Sequence, residues 1–292
     1  MVKVLSITFR TACFCWLISI QFAPATAFAD DDLSIFQYIP NYLSVDYGLD
    51  NDHGRDTFIF ANLGLTLKDR VIFGIGEQKE KVSQSEETLD NKTYLLGYNY
   101  LPYSVTQIGV EYEFWGDRDK VTIDSFRVVL ALNTGSFAIT VTPELRKIKV
   151  SNDSQCDQDI DSDSVKVDLS FDLDDNYTLN TSYVSYDYGS NLTELGSCVD
   201  NSEKLEIESR IDSVSNDRQI ALGLDFYDDT ETYGVSLSKS KTALYSLNSK
   251  SLSLYASTDQ FDDWSLTATI GITENTDDSS TMFVTGTITY YW

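Results

Sequence analysis

The acidic residues are the first candidates for chemistry. Asp157, Asp159, Asp161 and Asp163 recur at every second position, so an extended segment would carry four carboxylates on one side. A hard cation such as Ca2+ needs several oxygen ligands of this kind. The spacing nonetheless lacks the glycine and terminal glutamate of an EF-hand loop, because Ser162 holds the sixth position and Asp168 the twelfth. The stretch therefore reads as a solvated acidic loop, with weak divalent binding or bridging to lipopolysaccharide as the chemistry it could support. The single histidine, His53, sits in Asn51-Asp52-His53-Gly54-Arg55 with Asp52 as its nearest acid. Beside glycine it reads as a turn residue, and one histidine leaves little room for a triad or a His-rich zinc site. The expectation is a protein that is not an enzyme and has no cofactor or metal centre.

Of the four cysteines, Cys13 and Cys15 fall in an N-terminal apolar stretch, whereas Cys156 and Cys198 lie in long polar segments. In an oxidising compartment the latter two are expected to be bonded to one another.

Composition narrows the partners. With 46 Asp+Glu against 21 Lys+Arg and a net charge of −25, the 292-residue chain has no basic footprint for nucleic acid. Its 18 Tyr and 15 Phe argue against disorder, since such large apolar groups bury enough surface to order a chain. Lys3 and Arg10 precede an uncharged, mostly apolar run from Thr11 to Phe22, and Ala27-Phe28-Ala29 precede Asp30. This pattern predicts a secretory signal peptide over residues 1–29, cleaved after Ala29. Residues 30–40 then form a short periplasmic lead and 41–292 a single domain.

The elements that must position the acids have period two. Val165, Val167, Leu169, Phe171 and Leu173 alternate with Lys166, Asp168, Ser170 and Asp172, giving one apolar and one polar face. Ile220, Leu222, Leu224 and Phe226 alternate with Ala221, Gly223 and Asp225, and Leu205, Ile207 and Ile211 with Glu206, Glu208, Arg210 and Asp212. Fifteen such runs can be counted, and almost nothing reads helical. Tight separators such as 68–70, 102–104 and 133–136 contrast with the longer polar stretches Gly76 to Asn91, Ser151 to Ser164 and Tyr188 to Glu203. Short turns on one side and longer loops on the other are what an up-and-down membrane barrel shows.

The last residues sharpen this. In TMFVTGTITYYW, counting back by twos from the end gives Trp292, Tyr290, Ile288, Gly286, Val284 and Met282, with Thr, Phe and Tyr between them. This resembles the C-terminal strand of Gram-negative outer-membrane β-barrel proteins of the porin-like kind. The resemblance implies that Val284, Ile288, Tyr290 and Trp292 form a signal read by the barrel-assembly machinery, although phenylalanine is the commoner terminal residue. It implies an all-β transmembrane antiparallel barrel in the cell outer membrane, in contact with lipid and lipopolysaccharide.

A single-chain barrel with both ends in the periplasm has an even strand number, so about 14 strands are expected, with 12 to 16 open and the run near Leu205 the doubtful one. A secreted β-sandwich is the alternative, but aromatics near the expected turns (Tyr98, Tyr100, Tyr103, Phe137, Trp264, Tyr290) suit a membrane interface. If apolar members face lipid, then Asp46, Glu111, Glu113, Asp168, Glu206, Glu208 and Asp225 face the lumen, with Lys166, Arg210 and Arg127 among them. Excess carboxylate would favour passage of cations and small solutes through a porin-like channel. The alternative is a lumen closed by paired charges, making a structural or surface-receptor barrel.

Overall fold

The structure is a computed structural model that describes residues 41–51, 54–81, 88–117, 121–152, 156–189, 192, 211, 215–228, 230–244, 246–261, 263–276 and 280–292. The expected signal peptide and lead, together with Asp52, His53, Cys198, Glu206, Glu208 and Arg210, lie outside the described residues. Fourteen strands follow in chain order: β1 (Tyr42–Asp50), β2 (Arg55–Gly64), β3 (Asp69–Lys81), β4 (Thr88–Tyr103), β5 (Thr106–Asp117), β6 (Val121–Asn133), β7 (Phe137–Asn152), β8 (Cys156–Asp172), β9 (Tyr177–Tyr188), β10 (Asn216–Asp228), β11 (Glu231–Thr242), β12 (Asn248–Phe261), β13 (Trp264–Asn275) and β14 (Ser280–Tyr291). Each pairs antiparallel with its neighbours in sequence, and β1 pairs with β14 from Tyr42↔Tyr291 to Asp50↔Phe283, so the barrel is closed. Closure leaves no free sheet edge and rules out the sandwich. At the seam the Trp292 amide donates to the Asn41 carbonyl (3.1 Å) and the Gly64 amide to the Asn41 side chain (2.6 Å).

Alternation decides which side chains go where. Leu43, Val45, Tyr47 and Leu49 of β1, Ile220, Leu222 and Leu224 of β10, and Met282, Val284, Ile288 and Trp292 at the C-terminal end all point outward and are exposed. Equivalent residues continue this apolar belt around the barrel. A belt of this size on a water-soluble protein would be an aggregation surface, whereas lipid accepts it. At the tight-turn end, outward aromatics pair directly across strands: Phe137 with Phe171 at 4.9 Å, Tyr177 with Phe226 at 5.1 Å, and Trp264 with Tyr290 at 4.7 Å between ring centroids. Tyr290 also stacks on Trp292 at 5.7 Å. Amphipathic rings of this kind suit the headgroup level.

At the opposite end of β5 to β8 the pattern inverts. Trp115, Val121, Ile123, Ile148, Val150 and Ile160 point inward and are buried together, while Asp124, Lys147, Lys149 and Asp159 point outward. Lys147 pairs with Asp159 and Lys149 with Asp124, both at 2.7 Å. Charged-out and apolar-in is the arrangement of a β structure in water, so the inversion marks where these strands leave the lipid.

This corrects two expectations. Gly76 to Asn91 and Ser151 to Ser164 are not long loops: β3 runs to Lys81 and β4 starts at Thr88, and β7 runs to Asn152 and β8 starts at Cys156. The Asp157 to Asp163 stretch is therefore strand rather than loop. The carboxylates of Asp159, Asp161 and Asp163 do share one side, but Asp159 is held by Lys147, and no group of three metal-ligating side chains occurs among the described residues. The run near Leu205 lies, but for Ile211, outside the described residues, and β9 pairs directly with β10.

Candidate channel lining

Beside β3 and β4, the inner wall divides into two halves of different chemistry. One half, on β5 to β9, is filled. Arg127 on β6 stands in register with Glu111 on β5 and Glu144 on β7. Its guanidinium donates to Glu113 at 2.7 Å and to Glu144 at 3.2 Å, and Arg146 reaches the same Glu144 at 3.2 Å. The Ser164 hydroxyl donates to Glu144 at 3.0 Å. Arg146 lies 4.5 Å over the Tyr186 ring and donates to its hydroxyl at 3.2 Å, so the ladder ends on an aromatic face. Opposite charges with several hydrogen bonds each satisfy one another in this water-poor wall, and Glu144 is only 6% exposed.

Above the ladder sits the inward apolar cluster, completed by Leu192 and Ile211 of the β9–β10 connection and by Leu244 after β11. Of that connection, Leu192 at 5% and Ile211 at 1% exposed are buried against the cluster. The Tyr188 hydroxyl donates to the Asn216 carbonyl (2.8 Å) and fixes the point where the chain re-enters the wall.

The other half, on β10 to β14 with β1 and β2, is lined by hydroxyls. Ser236, Ser253, Thr267, Thr269, Thr285 and Thr287 point inward at mid-height and are half-buried. Three inward rings lie flat on this half: Phe58, Tyr255 and Phe283 stand directly opposite Gly76, Gly234 and Gly271. A Cβ added at Gly76, Gly234 or Gly271 would come within 2.6, 2.0 or 2.2 Å of the ring, so each glycine makes room for a ring to lie against the backbone. Asp46 accepts from Thr287 at 2.5 Å, and Asp225 accepts from Asn180 at 2.7 Å. Asp56 occupies the space beside Gly48, one inward position from Phe58. Among the described inward residues of these seven strands there is no lysine or arginine.

The expected lumen acids therefore meet different fates. Asp46, Glu111, Glu113, Asp168 and Asp225 all point inward, but Glu113 is tied up by Arg127, and Asp168 by Lys166 at 3.1 Å. Sequence reasoning missed Asp56, Glu144 and Arg146. The outward Leu145 between the last two was a usable signal, but the inversion at Lys147 and Ile148 broke the run. Asp56 was obscured because Phe58 and Phe60 beside it are inward while Ile59 is outward, so that strand is apolar on both faces. Cys156 opens β8, and its expected partner Cys198 lies outside the described residues.

No protein-family model matches the chain, and no curated protein matches it. Among solved structures it is similar to the CymD monoaromatic hydrocarbon channel, with TM-score 0.55 and 8% identity over 88% of this chain and 90% of that one. It is similar to a bacterial polysaccharide outer membrane secretin, with TM-score 0.53 and 10% identity over 87% and 98% of the two chains. The KdgM porin in complex with disordered oligogalacturonate is a more distant match, at TM-score 0.44 and 8% identity over 86% and 99%. At such identities the likeness is one of fold. The closed fourteen-strand barrel with its apolar belt is consistent with a porin-like barrel of the outer membrane.

Proposed function

We propose that the barrel is a cation-preferring diffusion channel whose path runs along the hydroxyl-lined half. The observation that carries this reading is the charge of that half: Asp46, Asp56 and Asp225 face inward, against one inward guanidinium, that of Arg70 on the adjoining β3, which donates to Asn62 of β2 at 2.7 Å. Carboxylates on a low-dielectric wall raise the local cation concentration and repel anions. The ladder on the other wall contributes little to selectivity because its charges cancel within hydrogen-bonding distance. A structural barrel without conduction is the second reading, favoured by the packing of Leu192 and Ile211 against the inward apolar cluster.

Zero-current potentials in planar bilayers across a salt gradient test the proposal. The unmodified protein is expected to give a potential of the cation-selective sign. Replacing Asp46, Asp56 and Asp225 together with asparagine should move it toward zero, with the loss largest at low salt, where the Debye length is longest. Replacing Glu113 with glutamine should move it less, because that charge is already paired with Arg127. An anion-selective potential in the unmodified protein would refute the assignment, and absence of conductance would favour the structural reading.

A further inference from the structure

We infer that the hydroxyl-lined wall is a binding track for neutral, hydroxyl-rich solutes, that is, short uncharged oligosaccharides; this deepens the channel reading and rests on it. Two of the flat rings, Tyr255 and Phe283, carry the track. One face of the Tyr255 and Phe283 rings is taken up by the glycine of the neighbouring strand, and both rings are half-buried with the other face toward the lumen, whereas Phe58 is only 5% exposed and fills the wall. Tyr255 is pinned further, because its hydroxyl bonds Asp225 across β11. Following the strand register, Tyr255 shares a row with Thr269 and Thr285, Phe283 lies one inward position to one side of that row, and Phe58 one position to the other. One inward position is two residues, or about 7 Å along a strand. Two strand spacings, about 10 Å, also separate Tyr255 from Phe283, so these two rings mark the ends of one short stretch of wall at mid-barrel.

What surrounds the rings selects among apolar, anionic and neutral polar solutes. Ser236, Ser253, Thr269 and Thr285 offer hydroxyls that both donate and accept, which matches a solute whose own groups do both. A purely apolar solute would leave these groups unpaired on desolvation. An anionic saccharide would meet Asp46, Asp56 and Asp225, and the one guanidinium at this wall, Arg70 of β3, is buried against Asn62 of β2. A neutral sugar places its C–H face on a ring and its hydroxyls on the flanking serines and threonines. Both contacts are available at once, as in sites where a few placed polar groups orient a ligand over apolar surface.

The test measures current block and direct binding side by side. Maltohexaose is added to single channels in planar bilayers, and its binding to detergent-solubilised barrel is measured by calorimetry. Oligogalacturonate of equal length and a size-matched polyethylene glycol serve as comparison solutes. The expected result is saturable block and saturable binding by maltohexaose, weaker block by the anionic sugar, and only a linear, volume-type reduction by the polymer. Phe283→Leu keeps apolar filling but removes the ring face, and it should raise the half-blocking concentration about fivefold, the scale of one aromatic contact. Tyr255→Leu should act in the same direction, with folding of both variants checked by heat-modifiable gel mobility. Conduction without saturable block or binding would overturn the track and leave the channel standing. Binding without conduction would overturn the channel and leave the site. Unchanged affinity in both leucine variants would show that the rings only fill space over their glycines.

Discussion

Replacing Glu144 with leucine is expected to destabilise the barrel by about 3–5 kcal/mol, the cost of removing one partner from a buried charge network. Glu144 accepts from Arg127, Arg146 and Ser164, so its loss strands donors from three strands in a wall that has little water to offer them. Arg127 keeps Glu113, but Arg146 keeps only the tyrosine contact among the bonds described above. Pairing the change with Arg146→Met should recover part of the loss, because the second uncompensated charge is then gone. Urea unfolding in lipid vesicles, followed by tryptophan fluorescence, gives both values. A loss below about 1 kcal/mol for Glu144→Leu would mean that the ladder behaves like a surface ion pair, open to water.

The second large effect lies on the outer surface. Leu222 is at the middle of β10, points outward and is 49% exposed. Arginine there is expected to cost about 2–4 kcal/mol if the face meets the hydrocarbon core, and close to nothing if it meets water. Leu67, in the turn between β2 and β3, is 78% exposed and supplies the comparison, with an expected cost of about 0–1 kcal/mol near the interface. The same unfolding assay measures both. Equal and negligible costs at the two positions would contradict the membrane reading of the belt.

Much of the barrel was legible residue by residue. The C-terminal strand alternates as its sequence implies, with Val284, Ile288 and Trp292 outward and Thr285, Thr287 and Thr289 inward. Period two fails as a guide where the solvent changes along a strand. In β8 the outward positions are Asp159, Asp161 and Asp163 near one end and Val165, Val167 and Leu169 further along, so the charged part looks like a loop although its backbone pairs with β7 throughout.

The candidate site was legible only in part for a similar reason. Alternation placed Asp46, Glu111, Glu113, Asp168 and Asp225 on the inner face, yet whether a carboxylate faces a solute or a guanidinium depends on registers between strands far apart in sequence. Arg127 meets Glu144 only because β6 and β7 pair at that register. The ring–glycine pairs are hidden in the same way, since Gly234 and Tyr255 are unremarkable until β11 and β12 are aligned.

Chemical modification of an introduced cysteine during bilayer recording addresses the central claim most directly. Ser236 is inward and half-buried on the hydroxyl-lined half, and Ser125 is inward and buried on the filled half beside Glu144. In Ser236→Cys, a charged methanethiosulfonate reagent is expected to reduce an existing cation-selective current by a clear step. The unmodified protein and Ser125→Cys should be unaffected. A barrel that carries no current, or one whose current responds at Ser125→Cys and not at Ser236→Cys, would contradict a conduction path along β10 to β14.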